Sequence, residues 1–433
     1  MTIENLKRAT AKAPQDDEQT TARVRSMLKE IETGGEDAAA KYSADLDGWT
    51  PESFVVSAEQ IEAATAKLSP QTRDDIDFSL GQVSRFAAAQ RATLHDLEVE
   101  LSPGLMAGHR HIPVGVAGCY VPGGRYAHAA SAAMSIGTAK AAGVPFVVAC
   151  SPPRGGEGIH AASLYAMNNA GADVILSLGG VQAIAAMAFG LFTGKPADVL
   201  AGPGNRFVAE AKRLLFGRVG IDVFAGPTEA LVLADDTADP WIVAVDIASQ
   251  AEHGPDSPTV LVTTSRRVAE AVLGLMPAAI DGLPMAEAAT RAWAECGEVV
   301  LCDTREEAAD VSDEYASEHV EIHCADLPWW RDTLRNYGTL FVGEETTVAY
   351  GDKSAGPNHI LPTRGASRYT GGLWVGKFLK TLTFEQMTRE ASRDIGQVAA
   401  RVSRVEGMEG HARSTDVRLA KYFPDQKFVL TPG

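Results

Sequence analysis

Six residues in the second half of the chain have the types that metal-assisted chemistry needs: Gln250, His253, Glu318, His319, Asp352 and His411. Gln250 and His253 stand three apart in a helical stretch that begins near Pro240. That spacing puts both on one helix face. Two histidines, a carboxylate and a carboxamide can saturate a zinc-like cation with nitrogen and oxygen ligands. The adjacent Glu318-His319 pair would supply a base beside such a metal. Each element also has a plainer reading. Gln250 and His253 can be the polar last turn of a helix before Gly254-Pro255, and Glu318 and His319 a surface carboxylate and a hydrogen-bonded imidazole. Asp352 can make an Asx-type turn.

The local settings sharpen these readings. Glu318-His319 opens the alternating run Val320-Glu321-Ile322-His323. Neighbours on a strand point to opposite sides, whereas at a strand start both can splay toward a cleft. His323 reads as structural. The turn-rich loop Gly351 to His359 offers His359 as a contact for a substrate carboxylate or phosphate. Gly202-Pro203-Gly204-Asn205 is half of a dinucleotide fingerprint and lacks its third glycine. Gly123-Gly124, after Tyr120-Val121-Pro122, is a second glycine turn. Cys119 reads as a small buried residue rather than a nucleophile.

The elements that must position these residues read as an α/β protein. With 433 residues the chain is longer than one core usually serves. A net charge of −17 argues against nucleic acid or an anionic membrane as partner, so an anionic substrate needs a local positive pocket. Five cysteines without a CxxC pair fit a reduced, cytoplasmic setting. Residues 1–15 lack the apolar core of a signal peptide. Residues 16–47 and 57–98 read as helices, and from residue 112 short apolar runs alternate with Ala-rich helices. Candidate strands are 114–121, 146–150, 173–178, 222–224, 230–234, 259–264, 298–301 and 339–342. That alternation implies parallel sheets with crossover helices. From Gly371 the chain reads as a charged helical appendage.

Taken together, the segments Tyr120-Val121-Pro122-Gly123-Gly124, Gly180 to Ala185, Gly202 to Asn205, Ala225 to Glu229, Gln250 to His253, Ser317-Glu318-His319 and Asn358 to Thr363 resemble the histidinol dehydrogenase family along nearly the whole chain. The resemblance implies zinc held by Gln250, His253, Asp352 and His411, with Glu318 and His319 as acid/base pair. It implies NAD contacts at Tyr120, Gln182 and Asn205, and substrate contacts at Thr228 and His359. It implies a homodimer whose tails cross, so that Glu406 and His411 serve the partner's site. The expected fold is two Rossmann-like domains with parallel sheets, one inserted in the other: 120–228 within 21–119 plus 229–370, after an N-terminal arm 1–20 and before a helical tail 371–433. The implied reaction is oxidation of a primary alcohol to a carboxylate by two hydride transfers.

Departures from the family pattern bear on the substrate. Lys353 follows the metal aspartate where histidinol dehydrogenases usually carry an aromatic residue, and Arg125-Tyr126-Ala127-His128 replaces small or apolar residues. Added cationic groups suit an anion. In this the chain resembles the sulfopropanediol dehydrogenase branch, which converts 2,3-dihydroxypropane-1-sulfonate to 3-sulfolactate; Arg125, His128 or Lys353 would hold the sulfonate. Glu406, retained where histidinol dehydrogenases meet the substrate amine, points instead to histidinol. A zinc hydrolase working without nucleotide is the expectation from another class.

Overall fold

The computed structural model describes residues 3–10, 18–123, 127–223 and 226–431. In chain order the strands are β1 (Glu4–Lys7), β2 (Leu97–Ser102), β3 (Leu105–Pro113), β4 (Val116–Tyr120), β5 (Phe146–Ser151), β6 (Val174–Ser177), β7 (Val199–Ala201), β8 (Gly220–Ile221), β9 (Ala230–Ala234), β10 (Thr259–Thr263), β11 (Gly297–Leu301), β12 (His319–His323), β13 (Thr339–Val342) and β14 (Leu379–Met387). The chain divides into two compact units.

The larger unit, residues 1–91 and 113–378, holds two sheets. One is fully parallel in the order β6-β5-β4-β7-β8. The other runs β1-β11-β10-β9-β12-β13, parallel except for the antiparallel edge β1. Both reverse strand order at one point, between β4 and β7 and between β9 and β12, as doubly wound sheets do. Runs such as Phe146-Val147-Val148-Ala149 and Val260-Leu261-Val262 are apolar throughout because helices cover both faces.

The helices of residues 18–92 join the first sheet. Val24, Met27, Leu28 and Ile31 share one core with Val148, Leu176 and Ile184. The expected grouping of residues 21–119 with 229–370 therefore differs from the packing, since the apolar stripe of that first helix is buried against the 116–221 sheet. Residues 222–224 were expected as a strand. The strand ends at Ile221; Asp222 N still donates to Leu200 O at 3.1 Å, and the Asp222 carboxylate accepts from Gly202 N at 2.7 Å. Phe224 lies outside the described residues.

The smaller unit, residues 92–112 and 379–433, carries the sheet β14-β3-β2 and the helices Arg389–Val405 and Glu409–Tyr422. The C-terminal region is thus helical only from Arg389. Residues 379–387 form a strand because the hairpin of residues 97–113 gives their backbone a ladder to join. No helix of the described residues is long and apolar enough to cross a membrane.

Candidate active site

The helix Pro240–Ala251 starts on an Asp239 cap, whose carboxylate accepts from Trp241 N at 2.8 Å, with proline in the first turn. It carries the chain back from the carboxyl end of β9 to the amino end of β10. Its last turn therefore lies at the edge where β12 begins. Gln250 is buried there. Its Nε2 donates to Ser249 Oγ at 3.3 Å, and its Oε1 is buried with no partner.

Glu318 and His319 sit at the amino end of β12, not at the carboxyl edge where doubly wound sheets usually bind ligands. Both are buried, and one peptide organises them. Glu229 N donates to Glu318 Oε2 at 3.1 Å, and His319 Nδ1 lies 3.2 Å from Glu229 O. A carbonyl only accepts, so the proton belongs on Nδ1 and leaves Nε2 a free acceptor. His319 Nε2 is buried without a partner, 3.9 Å from Asp352 Oδ1. The two side chains meet, Glu318 Oε2 lying 3.6 Å from His319 Nδ1. Burial pushes the Glu318 carboxyl well above the usual range, and burial also depresses His319 to about 4, so the imidazole is neutral near pH 7.

Asp352 lies in the turn Gly351–Ala355. His359 Nδ1 is 2.9 Å from its backbone oxygen and 3.9 Å from its Oδ1, while His359 Nε2 meets Ser131 Oγ at 3.0 Å. Burial raises the Asp352 carboxyl, yet His359, His319 and Lys353 around it more than offset this and hold it below its ordinary value. Lys353 Nζ is 3.5 Å from Asp352 Oδ2 on a largely exposed side chain.

A cavity of about 570 Å³ is lined by Gln250, His253, Asp352, Lys353, His359 and His128, among others. Asp352, His359 and His319 also line a smaller one of about 200 Å³. Burial depresses His253 and His359, and it takes His128, also facing Lys353, down to about 4. His128 is therefore a neutral hydrogen-bonding group near pH 7, so of the three cationic groups expected it does not supply charge. Arg125 lies outside the described residues. Thr228 precedes Glu229, whose peptide holds Glu318 and His319. Glu406 and His411 belong to the smaller unit and are exposed there, Glu406 ending the helix Arg389–Val405 and His411 in the helix Glu409–Tyr422. Cys119 is fully buried with its thiol pushed up to about 12 by burial, which suits an inert core residue.

The expected dinucleotide contacts lie on the first sheet, near its reversal point. Tyr120 ends β4, and its hydroxyl accepts from Gly180 N at 3.3 Å. Gln182 Nε2 donates to Asp47 Oδ2 at 2.9 Å, leaving Oε1 buried and unpartnered. Asn205 Oδ1 caps the helix Arg206–Leu215, accepting from Phe207 N and Val208 N at 3.0 and 3.1 Å. Gly202 has φ +119, and a Cβ there would lie 2.0 Å from Tyr120 O, so only glycine permits this turn. A buried Lys212–Asp222 ion pair braces it, Lys212 Nζ donating to Gly202 O at 2.9 Å.

Two parts of the site escaped sequence reasoning. Thr72, Asp75, Ile76 and Ser79 of the helix Pro70–Ala92 wall the cavity, and the Ser79 hydroxyl donates to Lys353 O. Their only signal was a polar face on an ordinary helix. Asp246, Glu321 and His323 form a buried cluster whose ligand atoms lie within 4.8 Å of one another, spacing that could hold a metal ion. His323 Nε2 is 3.3 Å from Glu321 Oε2 and 3.5 Å from Asp246 Oδ2, and Glu321 Oε1 accepts from Val348 N at 3.0 Å. The alternation His319, Glu321, His323 on one strand face was its sequence trace.

A family model described as histidinol dehydrogenase matches residues 10–419. The chain is 53% identical to the sulfopropanediol 3-dehydrogenase of Ruegeria pomeroyi, covering 100% of this chain and 99% of that protein. It is 37% identical to the histidinol dehydrogenase of Methanothermobacter thermautotrophicus, covering 92% of each. The crystal structure of histidinol dehydrogenase from Elizabethkingia anophelis matches with a TM-score of 0.89 at 31% identity, covering 95% of this chain and 94% of that one.

Proposed function

The chain belongs to the histidinol dehydrogenase family, and from that premise we propose a zinc- and NAD-dependent dehydrogenase that converts 2,3-dihydroxypropane-1-sulfonate to 3-sulfolactate. The balance is one alcohol, one water and two NAD⁺ giving one carboxylate, two NADH and three protons. The observation that carries this reading is the unpartnered Nε2 of neutral His319, 3.9 Å from Asp352 Oδ1, on a ring whose Nδ1 lies 3.6 Å from Glu318 Oε2.

His319 Nε2 would accept the hydroxyl proton of the alcohol, and NAD, when bound, would supply the hydride acceptor. Glu318 then takes a proton from water as it attacks the aldehyde, and the hydrated aldehyde gives up the second hydride. A carboxyl raised by burial is a stronger base than an exposed one, which suits this step. The Glu229 peptide keeps both groups in register throughout.

The orphaned Gln250 Oε1, with His253 and Asp352 on the same cavity, suits a divalent cation that takes oxygen and nitrogen ligands. Gln250, His253 and Asp352 would hold zinc, with His411 coming from the partner of a homodimer. When bound, the ion supplies positive charge that binds and orients the substrate oxygens. The glycine turn at Gly202 and the unsatisfied Gln182 Oε1 suit a dinucleotide, with Tyr120, Gln182 and Asn205 as its contacts.

The sulfonate reading rests on Lys353 at the cavity and on the 53% identity to a sulfopropanediol 3-dehydrogenase. Lys353 supplies the charge, with His128 as a hydrogen-bond donor, Arg125 as a second cation, and Thr228 and His359 as further contacts. Asp75 on the cavity wall is the observation that favours a cationic substrate such as histidinol, which Glu406 would also suit. The test is NADH formation by the zinc-loaded protein with each substrate. Two NADH per sulfonate diol is the expected result; turnover without NAD would instead identify a hydrolase.

A further inference from the structure

Asp246, Glu321 and His323 line neither cavity of the candidate active site, and the proposed reaction does not use them. All three are buried: Asp246 is 8% exposed, Glu321 2% and His323 3%. Asp246 comes from the helix Pro240–Ala251, and Glu321 and His323 from alternate positions on one face of β12. Two carboxylates taken out of water need positive charge or protons close by. Among the described residues no lysine or arginine pairs with either, and His323 is the one salt-bridge partner of both.

The side chains are arranged as ligands around an ion. Each carboxylate has one oxygen already engaged. Thr347 Oγ1 donates to Asp246 Oδ1 at 3.1 Å and lies 3.4 Å from Glu321 Oε1, which accepts from Val348 N at 3.0 Å. Hydrogen bonds of this kind orient the carboxylates of a metal site. The other oxygen of each turns toward His323, whose Nε2 is 3.3 Å from Glu321 Oε2 and 3.5 Å from Asp246 Oδ2. Donors about 2.0–2.2 Å from a tetrahedral ion stand roughly 3.3–3.6 Å from one another, and both separations fall in that range. Asp246 Oδ2, which faces this centre, is buried with no hydrogen-bond partner. An unsatisfied oxygen in such a place marks an ion or water site.

The donor set gives the class of ion. Two carboxylate oxygens with one imidazole nitrogen suit a zinc-like divalent ion. They do not suit calcium, which takes a larger shell of oxygens, or copper(I), which prefers sulfur. A charge of +2 also balances two carboxylates beside a neutral imidazole. In the ion-free protein protons must do this instead.

We propose that Asp246, Glu321 and His323 bind a second, structural divalent ion of the zinc type. It ties the Pro240–Ala251 helix, which carries Gln250 one turn on, to β12, which starts on His319. Through Thr347 and Val348 it also holds the segment that leads to Asp352. It shares no ligand with the zinc site proposed at the cavity and stands independently of it.

The test is to count zinc by plasma mass spectrometry in the full-length protein, loaded with Zn²⁺ and then freed of unbound ion. Wild type should hold two ions per chain. His323→Gln and Glu321→Gln should each hold one, and so should Asp352→Asn, which alters only the cavity site. Adding Zn²⁺ to ion-free Asp352→Asn protein should raise its Tm by several degrees, and the rise should vanish once His323→Gln is added. One ion per chain in wild type, kept in His323→Gln and lost in Asp352→Asn, would overturn the second site and leave the cavity zinc standing. One ion lost in His323→Gln and kept in Asp352→Asn would uphold the second site and overturn the cavity zinc. No ion bound to wild type would overturn both. Wild type and Asp352→Asn decide between these outcomes even if the cluster variants do not fold.

Discussion

Glu318 and His319 lean on one peptide, Glu229, which donates to the carboxylate and accepts from the imidazole. That shared anchor would let Glu318, just before β12, and His319, its first residue, face one substrate despite the strand's alternation. The proposed division of labour separates the two groups. Glu318→Gln should slow overall turnover roughly 10²–10⁴-fold. It should also drop the yield below two NADH per alcohol in single-turnover absorbance, because the first hydride transfer needs His319 and the water step needs Glu318. Two NADH at undiminished rate would remove Glu318 from the mechanism. Lys353→Ala should raise KM for the sulfonate diol roughly tenfold, the worth of one charge-assisted contact, with a smaller change in kcat. An unchanged KM would leave Lys353 as a surface charge. At this scale the sequence was legible wherever chemistry forces an unusual residue type or spacing, as in Glu318-His319 and Gln250-x-x-His253. It was not legible for Asp75 and Ser79, whose role comes only from where a long helix lies against the cavity.

At the scale of elements, the Pro240–Ala251 helix, β12 and the segment after β13 meet at the Asp246–Glu321–His323 cluster. Asp246 is one turn before Gln250, and Glu321 is two residues after His319. Thr347, five residues before Asp352, donates to Asp246 Oδ1 at 3.1 Å. The cluster thus braces the three elements that carry the candidate site. Burial and the neighbouring Glu321 raise Asp246 to about 7. For His323, burial opposes the charge, but Glu321 and Asp246 raise it above its ordinary 6.5. A group raised in the folded state contributes stability that is full below its unfolded value and lost as pH rises through the folded one. The Asp246 contribution should therefore fade between about pH 4 and 7, and that of His323 above about 6.5. Asp246→Asn, which cannot ionise, should flatten the fall of Tm between roughly pH 4 and 7. A slope equal to wild type would show that the cluster does not titrate with folding. Most strands of both parallel sheets were readable as short apolar runs. The hairpin of residues 97–113 and its partner β14 were not, because Leu97-Glu98-Val99-Glu100 and Leu379 to Met387 leave most side chains exposed and carry little core signal.

At the scale of the molecule, the −17 charge and Lys353 at the candidate site pull in opposite directions. An anionic substrate is repelled at long range and held at short range, so added salt should ease encounter while weakening the Lys353 contact. The doubly wound class was legible from strand–helix alternation, but which helices cover which sheet was not, since apolar stripes do not name their partners. The proposed homodimer has a direct check. Glu318→Gln and His411→Asn proteins, unfolded and refolded together, should recover about a quarter of wild-type activity if each site borrows His411 from the other chain, since half of the dimers then hold one intact site. No recovery would place His411 in the site of its own chain. The central claim is tested most directly by counting NADH released by the zinc-loaded protein from a limiting amount of 2,3-dihydroxypropane-1-sulfonate, with histidinol in parallel. Two NADH per sulfonate diol and none from histidinol is the predicted result; turnover of histidinol alone would contradict it and leave Lys353 without a part in substrate choice.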